Sequence, residues 1–400
     1  MLQLIKSKSF VTFISVFLLL IVTCLKFFGP AKTWQLPSST KAIAFSPDSK
    51  MLATASGIPK TYHVSSDSSI HGVSSTVEIR RVPDGKIIQT LDFPYATSLA
   101  FSADNQLLAT GNSSKEIKVW HISDGRLAYS LPKPDISPFH SNQTHLLAFT
   151  NDGQTLVAAV GQYSRVDSPP FHFFAWNLSS SERSYAISKS QISCAAISAE
   201  GQLFALGEQT KPLSLYQLKD GTTIKSKIFD NSLCYHLALS PDGTLLASVT
   251  DVTHIYRLED SKLISIISNK EPYRDTQGLT DIAFSPNNRF FATSYDVTYT
   301  GTGWVGFEPS IPKAFSGRIR IWDVNTGWQV ASLWGHGKGT DSIIFSPDGK
   351  WLASAGKDNK IHLWCMPPDI CNWLWLLGGG ALAAFAYSQR AYLLNWFNRF

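Results

Sequence analysis

The chain has 400 residues, of which 44% are hydrophobic and 12% aromatic, and it carries a net charge of +5. This composition fits one large domain with appended ends, with ample material for a core. The positive charge is spread out without a basic run, so nucleic acid is not indicated as a partner; the histidines are scattered and no Cys/His spacing suits a metal, so no metal or cofactor is expected.

The chain opens on Lys6 and Lys8, followed by residues 9–25, which contain no charge. A positive start and an apolar run of 17 residues predict a signal peptide or signal-anchor helix within residues 1–30. The run ends in Lys26-Phe27-Phe28-Gly29-Pro30, with no Ala-x-Ala before it. That favours an uncleaved anchor over a cleaved signal. Lipid modification of Cys24, in Ile21-Val22-Thr23-Cys24, is a third reading.

A short phrase then recurs seven times. It is an apolar strand, Ser or Thr, one spacer residue, an acidic or amide residue, and a second apolar strand. The copies begin at Ser46, Ser102, Thr150, Ser198, Ser240, Ser285 and Ser346, at intervals of 42 to 61 residues. A period of about 40–45 residues with insertions is the signature of a β-propeller, with one four-stranded blade per repeat. In the last copy Ser342–Ser346 predicts an inner strand, Pro347-Asp348-Gly349-Lys350 a tight turn, and Trp351–Ala355 a second strand. Asp358-Asn359 makes the next turn, and Ile361–Trp364 alternates as a half-buried third strand. That copy ends at Trp364-Cys365 without a fourth strand. Thr33-Trp34-Gln35-Leu36 looks like the outer strand Gly327–Leu333 of blade six and is expected to complete blade seven, removing an open edge.

Over residues 33–366 the chain resembles the WD-repeat propeller family. Gly335-His336 and Trp322-Asp323 are its single Gly-His and Trp-Asp dipeptides; Trp120-His121, Trp176-Asn177, Tyr216-Gln217, Tyr256-Arg257 and Trp364-Cys365 stand at equivalent places, and blade one has Ile79-Arg80. The resemblance implies an all-β, seven-bladed ring. It also implies a hydrogen-bonded structural tetrad, which maps fully onto the last blade as His336, Ser354, Asp358 and Trp364. In blade two Ser114 stands where the tetrad Asp belongs. The family further implies that loops between second and third strands share a top face with the loops joining consecutive blades.

The long insertions fall on that face: Gly57–Ser75, Gln162–Phe173, Tyr295–Phe315, and the connection Pro132–Thr144. Their aromatic and polar residues, chiefly Tyr62, Tyr163, Arg165, Phe171, Phe173, Tyr299, Trp304 and Phe307, are the candidate binding residues. The expected function is a membrane-tethered, non-catalytic scaffold that binds a protein or peptide partner. The alternative is an envelope hydrolase or lyase with its site at the mouth of the propeller axis, where Asp281 and His236 are the polar candidates; these two read more simply as structural. No nucleophile elbow, phosphate loop or metal motif appears.

Cys194 and Cys234 read as buried hydrophobes, whereas Cys365 and Cys371, close in sequence, read either as two free thiols or as a pair that forms in an oxidising compartment. Residues 370–389 form a second uncharged run of 20 residues, long enough for a transmembrane or membrane-associated helix. A short basic and aromatic tail, 390–400, follows. Lys6 and Lys8 before the first run, and Arg390 and Arg399 after the second, place both ends in the cytoplasm. The propeller is then expected on the periplasmic or other extracytoplasmic side, the alternative being the cytoplasmic face of the membrane. Lys26, Lys32 and Lys41 weaken the bias of the first run.

Overall fold

The computed structural model describes residues 30–57, 76–132, 143–161, 171–189, 192–198, 202–208, 211–225, 234–268, 279–295 and 317–366. The two uncharged runs at the chain ends lie outside the described residues. Those described form seven antiparallel four-stranded sheets. In six of them the chain steps from an inner strand outward in sequence order. The seventh is ordered Thr340–Phe345, Trp351–Gly356, Lys360–Cys365, Lys32–Gln35, so the start of the domain supplies the outer strand of its last sheet. Each inner strand touches the inner strands of the sheets before and after it, and Thr40–Phe45 touches Thr340–Phe345, which closes a ring of seven blades.

The recurring phrase is explained by one hydrogen-bond device. In all seven copies the buried Ser or Thr hydroxyl accepts from the backbone N–H five residues on, from Met51 to Ser46 through Trp351 to Ser346, at 2.8–3.1 Å. In six copies that hydroxyl also donates to the acidic or amide side chain two residues on. The same oxygen accepts the N–H of the residue that leaves the turn. Turn donors and acceptors that would otherwise be buried unpaired are thereby satisfied. One turn position must be left-handed, and Ser49, Asn105, Gly153, Gly243, Asn288 and Gly349 take it.

The core lies between blades. Seven apolar clusters occur, one at each seam. Second strands are buried on both faces, as in Leu52-Ala53-Thr54-Ala55-Ser56, because each is flanked by two neighbouring sheets. This is why they read as continuous small and apolar runs rather than alternating ones. At the closing seam Trp34 and Leu36 join Ile43, Phe45 and Leu52 of blade one with Ile361 and Leu363 of blade seven. The Trp34 ring also lies on Gly85 in the last turn of blade one: a Cβ there would fall 2.5 Å from Nε1, and φ of +74° already demands glycine.

Two features depart from the sequence reading. Cys194, in the inner strand Ile192–Ile197 of blade four, and Cys234, just before the inner strand of blade five, are joined by a disulfide, with Cα atoms 6.2 Å apart. Both are buried as expected, but they are not free hydrophobes. Neighbouring inner strands bring them within the separation that a disulfide spans. Cys365 is exposed at the end of its strand, and Cys371 lies outside the described residues. Second, six of the seven inner strands carry a bulge at their start, as between Thr40 and Ala42 or Leu279 and Asp281. A bulge re-aims side chains, here those lining the axis.

Candidate functional site: the two faces and the axis

Antiparallel strands of similar length fix what each face of the ring carries. First-to-second and third-to-fourth turns lie on one face, the bottom. Second-to-third connections and the links between blades lie on the other, the top. The four long insertions span 58–75, 133–142, 162–170 and 296–316, and each leaves from and returns to described strands at the top face.

Tyr62, Tyr163, Arg165, Tyr299, Trp304 and Phe307 lie in those insertions, outside the described residues. Phe171 is the first residue of the strand Phe171–Asn177 and pairs with Lys189. Phe173 is corrected by the structure: it is wholly buried, stacked on Phe204 of blade four at 5.0 Å between ring centres. The third strand of blade three starts earlier than its aromatic run suggests, so Phe173 and Ala175 face the next blade as core. Sequence reasoning did not single out Tyr95 and Tyr235, which are exposed on the top face just before the inner strands of blades two and five. Single tyrosines in short links carry no signal in a sequence.

The tetrad of blade seven is a continuous chain of hydrogen bonds. Trp364 Nε1–H donates to Ser354 Oγ at 2.9 Å, Ser354 Oγ lies 2.8 Å from His336 Nε2, and His336 Nδ1 lies 2.9 Å from Asp358 Oδ1. Asp358 Oδ2 also accepts the Gly337 N–H at 3.2 Å. Burial pushes the Asp358 carboxyl up, but the bonds from His336 and Gly337 outweigh it and hold the group below its ordinary range. His362 packs beside His336 and meets Thr33 Oγ1 of the closing strand at 2.8 Å. Burial first, and the neighbouring His336 second, lower His362 to about 4. His336, Asp358 and His362 present ligand-type atoms within 4.8 Å of one another. Both His336 nitrogens and His362 Nδ1 are already engaged in hydrogen bonds.

Other blades vary the device. Trp120 and Trp322 donate to Thr110 and Thr293, each at 2.9 Å. In blade three the corresponding position is Ala158, and Trp176 Nε1 is buried without a hydrogen-bond partner. In blade one the strand register corrects the sequence reading by one residue: Arg80, opposite Leu52, and not Ile79 takes the Trp position, and it forms a buried ion pair with Glu78, with a further bond to the Gly85 carbonyl at 3.0 Å. In blade two Ser114 meets Asn112 through its backbone N–H, at 2.9 Å.

Near the axis the polar side chains brace neighbouring blades. Asp281 Oδ2 of blade six accepts from Ser342 Oγ at 2.9 Å and from the Ile343 N–H at 2.8 Å, both in blade seven. Burial raises its carboxyl to about 6 against these bonds. Thr97 of blade two donates to the Thr144 carbonyl of blade three at 2.6 Å. Lys41 and Asp341 pair at 3.2 Å across blades one and seven. His236 bonds to the Leu279 backbone of blade six, and burial lowers its pKa. Each of these groups is used in holding the ring.

Residues 85–121 and 327–365 match the family described as WD domain, G-beta repeat. Among similar proteins, a striatin homolog of Dictyostelium discoideum is 20% identical over 70% of this chain and 35% of its own length. The apoptotic protease-activating factor 1 of Rattus norvegicus is 24% identical over 66% of this chain and 18% of its own. The nuclear distribution protein PAC1 of Arthroderma otae is 46% identical, over 12% of this chain and 10% of its own length. The matches thus span about a third or less of each of these relatives. Seven blades closed by the outer strand 32–35 make this chain a seven-bladed β-propeller, two of whose repeats are similar to the WD domain, G-beta repeat.

Proposed function

We propose that the protein is a membrane-tethered, non-catalytic scaffold whose top face binds a protein or peptide partner. The observation that carries this reading is the convergence of all four long insertions on one face of a rigid ring. Binding residues concentrate on loops held by such a scaffold. One fold hosts many functions, so the reading rests on that face and not on the fold. An axial hydrolase or lyase site finds less support: Asp281 and His236 are committed to blade-to-blade bonds, and hydrolytic chemistry needs convergent free groups. The uncharged runs 9–25 and 370–389 support the tether, and the basic residues flanking them support an extracytoplasmic propeller.

The test is co-purification of the tagged full-length chain in detergent, with residues 58–75, 162–170 or 296–316 deleted one at a time. A polypeptide retained by the full chain should be lost from at least one deletion and kept by bottom-face variants. Retention by all three deletions overturns the assignment of the top face.

A further inference from the structure

We infer that the bottom face of the propeller lies on the lipid bilayer, seated by a rim of apolar outer-strand residues. This rests on the proposed tether and adds to it an orientation and a contact surface. The first observation is where the chain leaves the ring. The third strand of blade seven ends at Cys365, and its outer strand begins at Lys32 beside Leu363. Both exits therefore share the bottom corner of one blade.

The second observation is the length of chain beyond those exits. Three residues, Pro367, Pro368 and Asp369, separate Met366 from the uncharged run that starts at Ile370. However they fold, four Cα steps span at most about 14 Å. The six-residue strand Lys360–Cys365 runs from face to face, and at about 3.3 Å per residue it is roughly 20 Å long. The linker is too short to carry the run past the ring to the top face. On the other side, Lys26 to Gly29 are the only residues between the first run and Pro30.

The third observation is what surrounds the exits. The outer strands begin at this same corner of every blade. There Trp328, which flanks blade seven from blade six, is 78% exposed. Ile87 flanks it from blade one, and Leu127, Ile224 and Leu263 continue the rim on blades two, four and five, all 40–47% exposed. Isolated exposed apolar residues need no explanation. A set repeated at one corner of five blades, with two membrane-length runs leaving from the same corner of another, does. Trp and large aliphatic side chains are those that settle at a membrane interface. The charges of this face are mixed, as in the pairs Arg126–Asp124, Arg257–Asp260 and Lys350–Asp348. Seating therefore depends on apolar contact and proceeds on zwitterionic lipid.

The test uses the full-length protein in phosphatidylcholine vesicles and in its native membranes. A benzophenone amino acid replaces Leu127, Leu263 or Trp328 on the bottom face, and Tyr95 or Tyr235 on the top face as controls. Bottom positions should give lipid adducts in about tenfold excess over top positions, since interfacial side chains contact headgroup and acyl boundary. Equal yields on the two faces, an excess at the top, or adducts in native membranes that run to a polypeptide would overturn the inference. A Leu127→Asp, Trp328→Asp double variant should still float with the vesicles but expose its bottom turns to protease, whereas unchanged protection would count against a seated rim. Flotation separates this inference from the tether. A chain that floats without bottom-face adducts overturns only the orientation, and a chain that does not float overturns both.

Discussion

The Nε1–H of Trp176 is buried with no acceptor, while Trp120, Trp322 and Trp364 each reach a hydroxyl from the second strand of the same blade. The difference is the missing hydroxyl at Ala158, whose counterparts in the other blades are Thr110, Thr293 and Ser354. Ala158→Ser should therefore raise stability by about 1 kcal/mol, the net worth of one buried hydrogen bond, read as a higher urea midpoint at unchanged slope. A lower midpoint would mean that the extra oxygen overfills the seam. The converse case is Asp358→Ala, which strips His336 Nδ1 of its partner and should cost about 1–3 kcal/mol. Ser114→Ala in blade two, where no such chain passes through the side chain, should cost less, and equal midpoints for the two would sink the comparison. Buried titrating groups set the pH response. His145 and His362 are held down to about 4, chiefly by burial. The unfolded chain takes up protons on them that the fold refuses, so their stabilisation, full above about pH 6.5, is lost as pH falls towards 4. Asp281, raised to about 6 by burial, acts oppositely: its contribution is full below about pH 4 and lost as pH rises through 6. Thermal midpoints at pH 7, 6 and 5 should fall, His145→Gln should flatten that fall, and Asp281→Asn should steepen it.

At the scale of strands, the closing outer strand has most leverage. Lys32–Gln35 pairs along Lys360–Leu363, Thr33 bonds His362, and Trp34 covers Gly85 of blade one. Deleting Thr33 to Leu36 removes these contacts and leaves the Lys360–Cys365 edge unpaired, and an open edge recruits other strands. The variant should aggregate or lose its sharp unfolding transition; a soluble chain that begins at Ser38 and unfolds cooperatively would show the strand to be dispensable. This closure was legible in the sequence because blade seven lacks a fourth strand there and Thr33-Trp34-Gln35-Leu36 matches the outer strand of blade six. The repeats were legible for a similar reason: the Ser, the acidic or amide residue and the turn are one hydrogen-bonded device, and its parts have fixed spacing. What was not legible depends on distance across seams. Cys194 and Cys234 stand 40 residues apart with no motif between them, and only adjacent inner strands bring them together. Phe173 has the composition of a binding loop, yet it belongs to a strand that starts two residues earlier. The axis bulges leave no trace in a pattern of alternation, because one extra residue at a strand start resembles a longer loop.

For the whole molecule, sidedness is what the ring's geometry constrains and the terminal sequences orient. Both chain exits leave one corner of one blade, so under the proposed tether the two uncharged runs would meet the membrane from the same side of the ring. If both runs span, the even number of crossings returns the chain to the side on which it started. Lys6 and Lys8 precede the first run, and Arg390 and Arg399 follow the second; cytoplasmic flanks collect such residues. The Cys194–Cys234 pair adds a chemical argument, since structural disulfides persist in oxidising spaces and are rare in the reducing cytoplasm. Protease added to cells stripped of their outer barrier should digest the propeller while the tail after Arg390 stays protected. On the proposed seating, which sets the bottom turns against lipid, the links on the top face should be cut first. In the same sample, a thiol label applied without reductant should leave Cys194 and Cys234 unmodified and react with both after reduction and unfolding. A propeller that resists protease until the cells are lysed would place it in the cytoplasm. Labelling of Cys194 and Cys234 on unfolding without reductant would then follow, and the second run would lie along the membrane rather than across it.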